Sequence, residues 1–232
     1  MKHTFGNTIV IALGGSIVHP DHIDVEFLKK LKPFVSKAAS GGKKIVLVIG
    51  GGKLARLFQD AAHGVSNIVD EDKDWLGIHA TRLNAHLLRT IFKDIAGPVV
   101  LDERFKIKKP KCPLTIASGW RPGWSTDYVA AQLAADFGAR EVVIAGKPAF
   151  VYDKDPHKFS GAVPLPELTW KEYKKLIPHK WIPGLNAPVD PVAAALAEKE
   201  KLRAIIINGK DLKNFGALLN GKEFKGSIIS DR

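Results

Sequence analysis

Two runs of branched apolar residues near the start of the chain each stop at a set of glycines. Residues 7–13 (NTIVIAL) lead into Gly-Gly-Ser at 14–16, and residues 45–49 (IVLVI) lead into three glycines at 50–52. Apolar runs of this length are typical of strands buried on both faces of a parallel sheet. A helical pattern follows each turn, the first at about residues 20–38. The pattern therefore predicts two strand–turn–helix units, which build a parallel sheet with right-handed crossovers.

The rest of the chain continues this alternation without an internal repeat. Strands are predicted at residues 99–101, 114–117, 141–145, 203–208 and 226–229, helices at 72–93, 128–137, 168–176, 192–200 and 211–219, and a loop or hairpin at 146–156. A chain of 232 residues with 45% hydrophobic residues is long enough for one large α/β domain or for two lobes around one sheet. The lysine-rich residues 103–111 are the expected boundary between lobes.

The predicted helix at residues 72–93 has two different faces. We expect its stripe of large apolar residues to face the core; these are Leu76, Leu83, Leu87 and Ile91. A neighbouring stripe is small and polar, with Asp74, Gly77, Thr81 and Asn84 three or four residues apart. An ordinary helix with a capping aspartate explains this stripe, and so does the close approach of another helix or a ligand.

The glycine triplet at residues 50–52 has the features of a phosphate site. Glycines adopt backbone angles that bring N–H groups close to an anion at the start of the next helix. Lys53 and Arg56 add positive charge there. The triplet matches neither the G-x-x-x-x-G-K-[S/T] nor the G-x-G-x-x-G fingerprint, and a plain strand-to-helix turn also explains it.

A ten-residue loop at residues 118–127 (SGWRPGWSTD) follows the predicted strand at 114–117. Ser125 or Thr126 is suited to cap the next helix, with Asp127 in its first turn. Capping does not explain the glycines, proline, arginine and tryptophans that precede these residues. Open α/β sheets bind ligands at the ends of strands, so the loop is a candidate binding segment.

Charge and cysteine content narrow the class of protein. The net charge is +11, which favours anionic partners. The basic residues are scattered and form no recognition module, so binding to nucleic acid is not expected. No segment has the roughly 20 apolar residues that span a bilayer. The single cysteine, Cys112, fits a reducing compartment. We expect a soluble cytoplasmic protein without a membrane partner.

Seven segments taken together resemble the amino acid kinase family. They are IALGGS (11–16), IGGGKLAR (49–56), DWLGIHATRLNA (74–85), GWRPGWSTDYVAAQLA (119–134), VYDKDP (151–156), PVDPVAAALAE (188–198) and NGKDLKNFGALLNGKEFKGSII (208–229). The pairing of GGGKLAR with D-x-x-G-I-x-x-T-R-x-N-A is more specific than either glycine turn. Within the family, the segments look most like the archaeal-type uridylate kinases.

The resemblance implies a fold and an activity. The fold is a three-layer α/β/α sandwich with a mainly parallel central sheet, and the usual assembly is a homohexamer. The implied activity is transfer of the ATP γ-phosphoryl group to UMP, giving UDP and ADP in pyrimidine nucleotide synthesis. Residues 1–111 would form an N-terminal lobe that binds UMP, and residues 112–232 a C-terminal lobe that binds ATP. Mg²⁺ would be carried by the nucleotide, with no metal site on the protein.

The same resemblance assigns residues to each substrate by their position in the motifs. The UMP contacts would be Gly51, Asp74, Trp120, Arg121, Pro122, Gly123, Trp124, Ser125 and Thr126. The ATP contacts would be Gly14, Gly15, Ser16, Gly52, Arg56, Tyr152 and Asp155. Asp127 would organise the reaction centre. The two tryptophans of the loop are expected either to stack on a base or to narrow the pocket.

The sequence departs from the family pattern at two places. Ala12 stands where most members have a lysine or another charged residue, and GKPAF at 146–150 replaces the usual Thr-Asn-Val-Asp-Gly. Phosphoryl transfer between two polyanions requires positive charge near the bridging oxygens. We therefore expect Lys53 to contact phosphate and Lys147 to be a compensating catalytic cation, although a solvated loop lysine also explains Lys147.

Two other classes of function remain open from the sequence. The same fold in other members phosphorylates carboxylates, carbamate or isopentenyl phosphate, so the acceptor is a small phosphate or carboxylate in the second hypothesis. In the third, the chain is a nucleotide-binding regulator that has lost catalysis, which Ala12 and Ala149 permit.

Overall fold

The structure is a computed structural model that describes residues 1–156, 158–180 and 187–231. Its strands are β1 (Thr8–Leu13), β2 (Lys44–Ile49), β3 (Ala96–Leu101), β4 (Leu114–Ala117), β5 (Glu141–Gly146), β6 (Val151–Tyr152), β7 (Pro164–Leu165), β8 (Glu167–Leu168), β9 (Arg203–Asn208) and β10 (Ser227–Ile229). Its helices are α1 (Gly15–Val18), α2 (Val25–Ser40), α3 (Gly52–Val65), α4 (Asp70–Ile91), α5 (Thr126–Asp136), α6 (Trp170–Tyr173), α7 (Pro191–Lys199) and α8 (Leu212–Leu219).

One mainly parallel sheet organises the described chain. Its eight strands lie in the order β3-β4-β2-β1-β5-β9-β10-β8. The central strand β1 pairs in parallel with β2 on one side and with β5 on the other. The short strand β10 runs antiparallel to β9, and β6 pairs with β7 in a separate hairpin. The predicted strands and the parallel pairing of the first two units are confirmed.

Helices cover both faces of this sheet. Alternate side chains of β1 point to opposite faces, since successive residues of a strand do so. Ile9, Ile11 and Leu13 belong to a core cluster that includes residues of α2, α4 and α8. Val10 and Ala12 belong to a second cluster that includes residues of α5 and α7. The expected three-layer α/β/α sandwich is therefore confirmed.

The prediction for the inward face of α4 is wrong in part, because Leu87 and Ile91 pack against the core but are not its most buried residues. The buried residues of α4 include Thr81 and Asn84 of the small and polar stripe; the full set is Ile78, Ala80, Thr81, Asn84, Ala85 and Leu88. Leu83, which was expected in the core, is 62% exposed, while Leu76, Leu87 and Ile91 are half-buried. Short side chains allow α4 to lie close to the second glycine turn and to residues after β4, and their polar atoms find partners there.

Three smaller differences concern element ends. Helix α2 begins at Val25 rather than near residue 20, because Asp24 is its cap and its carboxylate accepts from Phe27 N at 3.0 Å. Residues 167–168 form the edge strand β8, and the helix predicted at 168–176 shrinks to α6. Ser125, rather than Thr126, caps α5.

The lobe boundary at residues 111 and 112 remains a prediction. The sheet is continuous across the described chain, and β4, which follows the boundary, pairs with β2 and β3, which precede it. In residues 1–156, 158–180 and 187–231, no helix is long and apolar enough to cross a membrane.

Candidate active site

The two predicted glycine turns lie against each other at the carboxyl ends of β1 and β2. Gly50 N donates to Leu13 O at 3.0 Å. Gly52 has φ of +65°, a conformation that favours glycine. A side chain on Gly15 would collide with the peptide backbone of the second glycine turn, so only glycine fits there. The two turns therefore form one rigid backbone platform at the start of α3.

A buried asparagine sets the orientation of this platform. Asn84 Nδ2 donates to Gly50 O at 2.9 Å and to Gly51 O at 3.1 Å. Because C=O and the next N–H point in opposite directions across a trans peptide, the N–H groups of Gly51 and Gly52 point away from Asn84. Among the described residues neither N–H has an acceptor. Unpaired N–H groups at a helix N-terminus are suited to bind an anion.

A cavity of about 290 Å³ opens beside the platform. Four segments line it: the start of α3, the small face of α4, the loop before α5, and the start of α7. The lining residues are Gly51, Gly52, Ala55, Arg56, Gln59, Asp74, Gly77, Ile78, Thr81, Gly119, Trp124, Ser125, Thr126, Asp127, Ala187 and Asp190. The structure thus brings together the glycine triplet, the D-x-x-G helix and the ten-residue loop, which the sequence had placed on separate elements.

Helix α4 holds the loop by two hydrogen bonds. Asp74 Oδ2 accepts from Gly123 N at 2.7 Å, and Gly123 has φ of +79°. Thr81 Oγ1 accepts from Gly119 N at 2.8 Å. The small polar stripe of α4 therefore fixes one wall of the cavity and leaves the second carboxylate oxygen of Asp74 without a partner among the described residues.

The two tryptophans of the loop have different surroundings. Trp124 lines the cavity; Arg121 lies 4.8 Å from its ring and the Tyr128 ring lies 4.5 Å away. Trp120 is only 5% exposed, belongs to the core, and donates from Nε1 to Leu101 O at 3.1 Å. Trp120 therefore does not line the cavity, and of the two only Trp124 is placed to contact a ligand there.

Two aspartates lie at the far wall of the cavity. Asp127 is in the first turn of α5, and Asp190 caps α7. Asp127 keeps part of its surface open to the cavity, but protein atoms surround the carboxyl closely. This burial raises the pKa of the Asp127 carboxyl well above its ordinary value, and the charge of Asp190 raises that pKa further. Burial also raises the pKa of the Tyr173 hydroxyl, and the charges of Asp127 and Asp190 raise that pKa further.

The residues assigned to ATP by resemblance lie mostly outside this cavity. Gly14 N donates to Ala145 O at 2.9 Å, and Gly209 N donates to Gly146 O at 2.8 Å. The carboxyl ends of β1, β5 and β9 therefore meet beside the first glycine turn. Gly15 and Ser16 are in α1, while Tyr152 is in the β6–β7 hairpin. Asp155 follows that hairpin strand and lies 4.0 Å from Lys158 Nζ.

The candidate cations differ in exposure. Arg56 is exposed and lines the cavity. Lys53 is half-buried, and its backbone N–H donates to His19 O at 3.0 Å. Lys147 is exposed just beyond the end of β5, and its carbonyl accepts from Asn208 Nδ2 at 3.0 Å. Ala12 is buried in the core between the sheet and α5.

Sequence reasoning missed two polar residues of the cavity. Gln59 Nε2 donates to Lys73 O at 2.8 Å, which ties α3 to α4. Asp190, which Pro191 follows at the start of α7, has the local pattern of a helix cap. A cap that also faces a ligand site has no separate sequence signal, so the structure was needed to place Asp190 beside Asp127.

Comparisons with known proteins agree with this geometry. The model of the amino acid kinase family matches residues 7–109 and 116–208. The chain is 33% identical over 215 residues to a uridylate kinase from Sulfolobus acidocaldarius, covering 90% of this chain and 93% of the relative. It is 33% identical over 219 residues to a uridylate kinase from Pyrococcus abyssi, covering 92% of this chain and 96% of the relative.

A solved structure gives the same result for the fold. The crystal structure of uridylate kinase from Archaeoglobus fulgidus superposes with a TM-score of 0.80 at 27% identity, covering 96% of this chain and 100% of that chain. The family model spans most of the residues that build the sheet and the cavity. The chain therefore belongs to the amino acid kinase family, as the seven segments had indicated.

Proposed function

We propose that this protein is a UMP kinase that transfers the γ-phosphoryl group of ATP to UMP, giving UDP and ADP. The observation that carries the proposal is the cavity that the glycine triplet lines together with Asp74 and the Trp124 loop. Relatives named uridylate kinase that align over nine tenths of the chain support the same acceptor.

UMP would bind in the cavity with its phosphate at the start of α3. The N–H group of Gly51 supplies a donor for this phosphate. Gly52 and Arg56, which the resemblance assigned to ATP, line the same cavity, so their N–H group and guanidinium add a donor and positive charge beside it. Asp74 accepts hydrogen bonds from ribose hydroxyls or from the uracil N–H. Trp124, held between Arg121 and Tyr128, would bound the base.

ATP would bind at the carboxyl ends of β1, β5 and β9. Gly14, Gly15 and Ser16 would lie beside its phosphates, and Tyr152 and Asp155 of the hairpin region would lie beside its nucleoside. Lys53 and Lys147 are the cations that we assign to the phosphates. Asp127, at the wall between the cavity and the sheet, would orient the reacting groups.

The chemistry requires positioning rather than a strong base. The second pKa of a phosphate monoester is about 6, so the attacking oxygen of UMP is already largely ionised near neutral pH. The catalyst must bring two polyanions together in line and stabilise the charge on the transferring group. Backbone N–H groups and fixed cations do this without moving a proton.

Magnesium is the expected companion of ATP. Among the described residues there is no group of three or more His, Cys, Asp or Glu side chains that could hold a metal ion. Mg²⁺ usually binds through one or two carboxylates together with substrate phosphates. Mg²⁺ would therefore be carried by the phosphates of ATP, where it would neutralise part of their charge.

We also propose a homo-oligomer, most simply a hexamer built from dimers. Several large apolar side chains of α3 and α4 are exposed in the single chain, and these are Leu57, Phe58, Val65, Trp75 and Leu83, with Val69 just before α4. Exposed apolar residues concentrated on neighbouring helices are typical of an interface. Light scattering at micromolar concentration tests this, and a 25.3 kDa species would contradict it.

The acceptor is tested by measuring ADP release from ATP and Mg²⁺ with dialysed enzyme. UMP, dUMP, CMP, isopentenyl phosphate, carbamate and acetate are compared. UMP is expected to give the highest kcat/KM. A higher value with a carboxylate or another phosphate would favour the second hypothesis. ATP binding without ADP release on any acceptor would favour the regulator.

A further inference from the structure

The capping side chains of α5 and α7 are bonded to each other at the wall of the cavity. Ser125 Oγ donates to Asp190 Oδ2 and accepts from Tyr128 N at 2.9 Å. The other carboxylate oxygen of Asp190 accepts from Val192 N at 2.8 Å and from Ala193 N at 3.0 Å. Both oxygens of Asp190 are therefore bonded within the protein, and the residue is only 3% exposed.

Asp127 depends on this pair for its position. It lies two residues after Ser125, in the first turn of α5, where the cap fixes the path of the chain. In contrast to Asp190, Asp127 has no hydrogen-bond partner among the described residues, and it faces the cavity. The direction of its side chain is therefore set by where α5 begins.

We propose that Asp190 is a positioning residue of the transfer site, which holds the Ser125 cap so that the first turn of α5 directs Asp127 into the cavity. Asp190 does not need to touch a substrate, because its oxygens are already bonded to α5 and α7. The identity of the reaction rests on the proposed function above, whereas the placement of Asp127 by Asp190 does not.

Few other charged groups surround Asp127. Asp190 comes from the start of α7 and Tyr173 from α6, while Arg56 of α3 and Asp74 of α4 line the same cavity. The strands beneath α5 present apolar side chains, including Val10 and Ile144. Asp190 is thus the charged group that raises the pKa of Asp127 beyond the effect of burial.

The test replaces Asp190 with asparagine. Asparagine caps helices as well as aspartate does, so α7 keeps its start, but the charge is lost and the oxygen that accepts from Ser125 is replaced by an NH₂ donor. We expect kcat to fall at least about tenfold while the KM for UMP changes less than about threefold. The carboxyl carbon of Asp127, followed by ¹³C NMR, should titrate at lower pH in Asp190→Asn than in the wild type, since a like charge has been removed.

Two sets of variants control for loss of a cap. Asp211 caps α8 away from the cavity, with Asn214 N at 3.0 Å, so Asp211→Asn should leave kcat and the Asp127 titration unchanged. Ser125→Ala removes the bonded hydroxyl and should lower kcat in the same way as Asp190→Asn. Ser125→Thr keeps a hydroxyl and should recover most of the kcat lost in Ser125→Ala.

The outcomes separate this inference from the proposed function. An unchanged kcat or an unshifted Asp127 titration in folded Asp190→Asn overturns the positioning role. If Asp190→Asn does not fold, the Ser125 pair decides, and equal kcat in Ser125→Ala and the wild type overturns it. If the wild type does not phosphorylate UMP, the proposed function fails, and the Asp127 titration in Ser125→Ala decides the positioning role. That variant keeps the charge of Asp190, so an unchanged titration in it overturns the role.

Discussion

Gly15 and Gly52 touch backbone to backbone where the two glycine turns meet. A Cβ atom on Gly15 would lie 2.1 Å from Gly52 N, and a Cβ atom on Gly52 would lie 2.5 Å from Gly15 O. Real Cβ atoms do not approach backbone atoms so closely, and neither segment can retreat without moving β1 or β2. The proposed phosphate site therefore depends on two residues that are 37 positions apart in the sequence.

We expect Gly15→Ala to destabilise the protein by more than about 3 kcal/mol, because overpacking here displaces backbone rather than a flexible side chain. Chemical denaturation measures this. Gly64→Ala, in α3, is the matched control, since a Cβ there meets nothing within 4 Å. It should stabilise the helix by roughly 0.5–1 kcal/mol. Equal stability of the two variants would mean that the turns are looser than the structure indicates.

Asp74 holds the Trp124 loop through Gly123 N and is proposed to contact UMP as well. Asp74→Ala removes both contacts and should lower kcat/KM for UMP by one to two orders of magnitude, about 1.4–2.8 kcal/mol. Asp74→Asn keeps an oxygen for Gly123 N and should preserve the fold of the loop, while it weakens the contact with hydroxyl or imide donors. Steady-state kinetics over a range of UMP concentrations distinguishes these effects.

Asp70→Ala is the matched control for Asp74→Ala. Asp70 is in the first turn of the same helix, is exposed, and pairs only with Lys73 at 3.3 Å among the described residues. Its removal should leave UMP kinetics unchanged. Wild-type kinetics in a folded Asp74→Ala variant would remove Asp74 from the acceptor site.

Lys147 is expected to act on the transition state rather than on substrate binding. Its carbonyl is held by Asn208 at the end of β5, which leaves its exposed side chain free to reach phosphates above the sheet. A charge that stabilises only the transition state affects kcat more than KM. Lys147→Ala should therefore lower kcat about tenfold, or about 1.4 kcal/mol, with little change in the KM for UMP.

The other exposed lysines provide the comparison for Lys147. Lys213→Ala, on the exposed side of α8, removes the same charge elsewhere and should not change kcat. Retained kcat in Lys147→Ala together with loss in Lys53→Ala would assign both roles to Lys53. Retained kcat in both variants would mean that Arg56 supplies the cation.

Much of the sheet could be predicted because its central strands are buried on both faces and their apolar runs are unbroken. A cap at Ser125 or Thr126 could also be predicted, since capping is a local hydrogen-bonding pattern. The inward face of α4 could not be predicted, because a leucine stripe and a stripe of small residues both suit burial. Which stripe is buried depends on how closely the neighbouring glycine turn approaches the helix. Strand β8 has only two residues, too few to show a period.

The site was predictable as a set of motifs but not as a geometry. Trp120 and Trp124 lie four residues apart in one loop, and only the packing of Trp120 against Leu101 separates the core residue from the cavity residue. The pairing of Asp74 with Gly123 likewise joins segments 49 positions apart. Such contacts depend on the register of strands and helices, which residue patterns alone do not specify.

Asp127 should limit the stability of the fold above its own pKa. Its pKa is raised in the folded protein by burial and then by Asp190, whereas in the unfolded chain it is near 3.9. Between these values the folded state binds more protons than the unfolded state, so the contribution of Asp127 to stability falls as pH rises.

Asp127→Asn removes the buried charge and should raise Tm at about pH 8, with a smaller gain at about pH 4, where the wild-type carboxyl is largely protonated. The same variant should lose most of its UMP kinase activity, because a neutral amide cannot orient cationic groups as a carboxylate does. Gains in stability at the expense of activity are common at such sites. Calorimetry at both pH values measures Tm, and steady-state kinetics at the higher pH measures activity. Asp211→Asn, which removes an exposed carboxylate at the start of α8, should change neither Tm nor UMP kinase activity. A Tm gain of equal size at both pH values, or a loss at the higher pH, would contradict a raised pKa at Asp127.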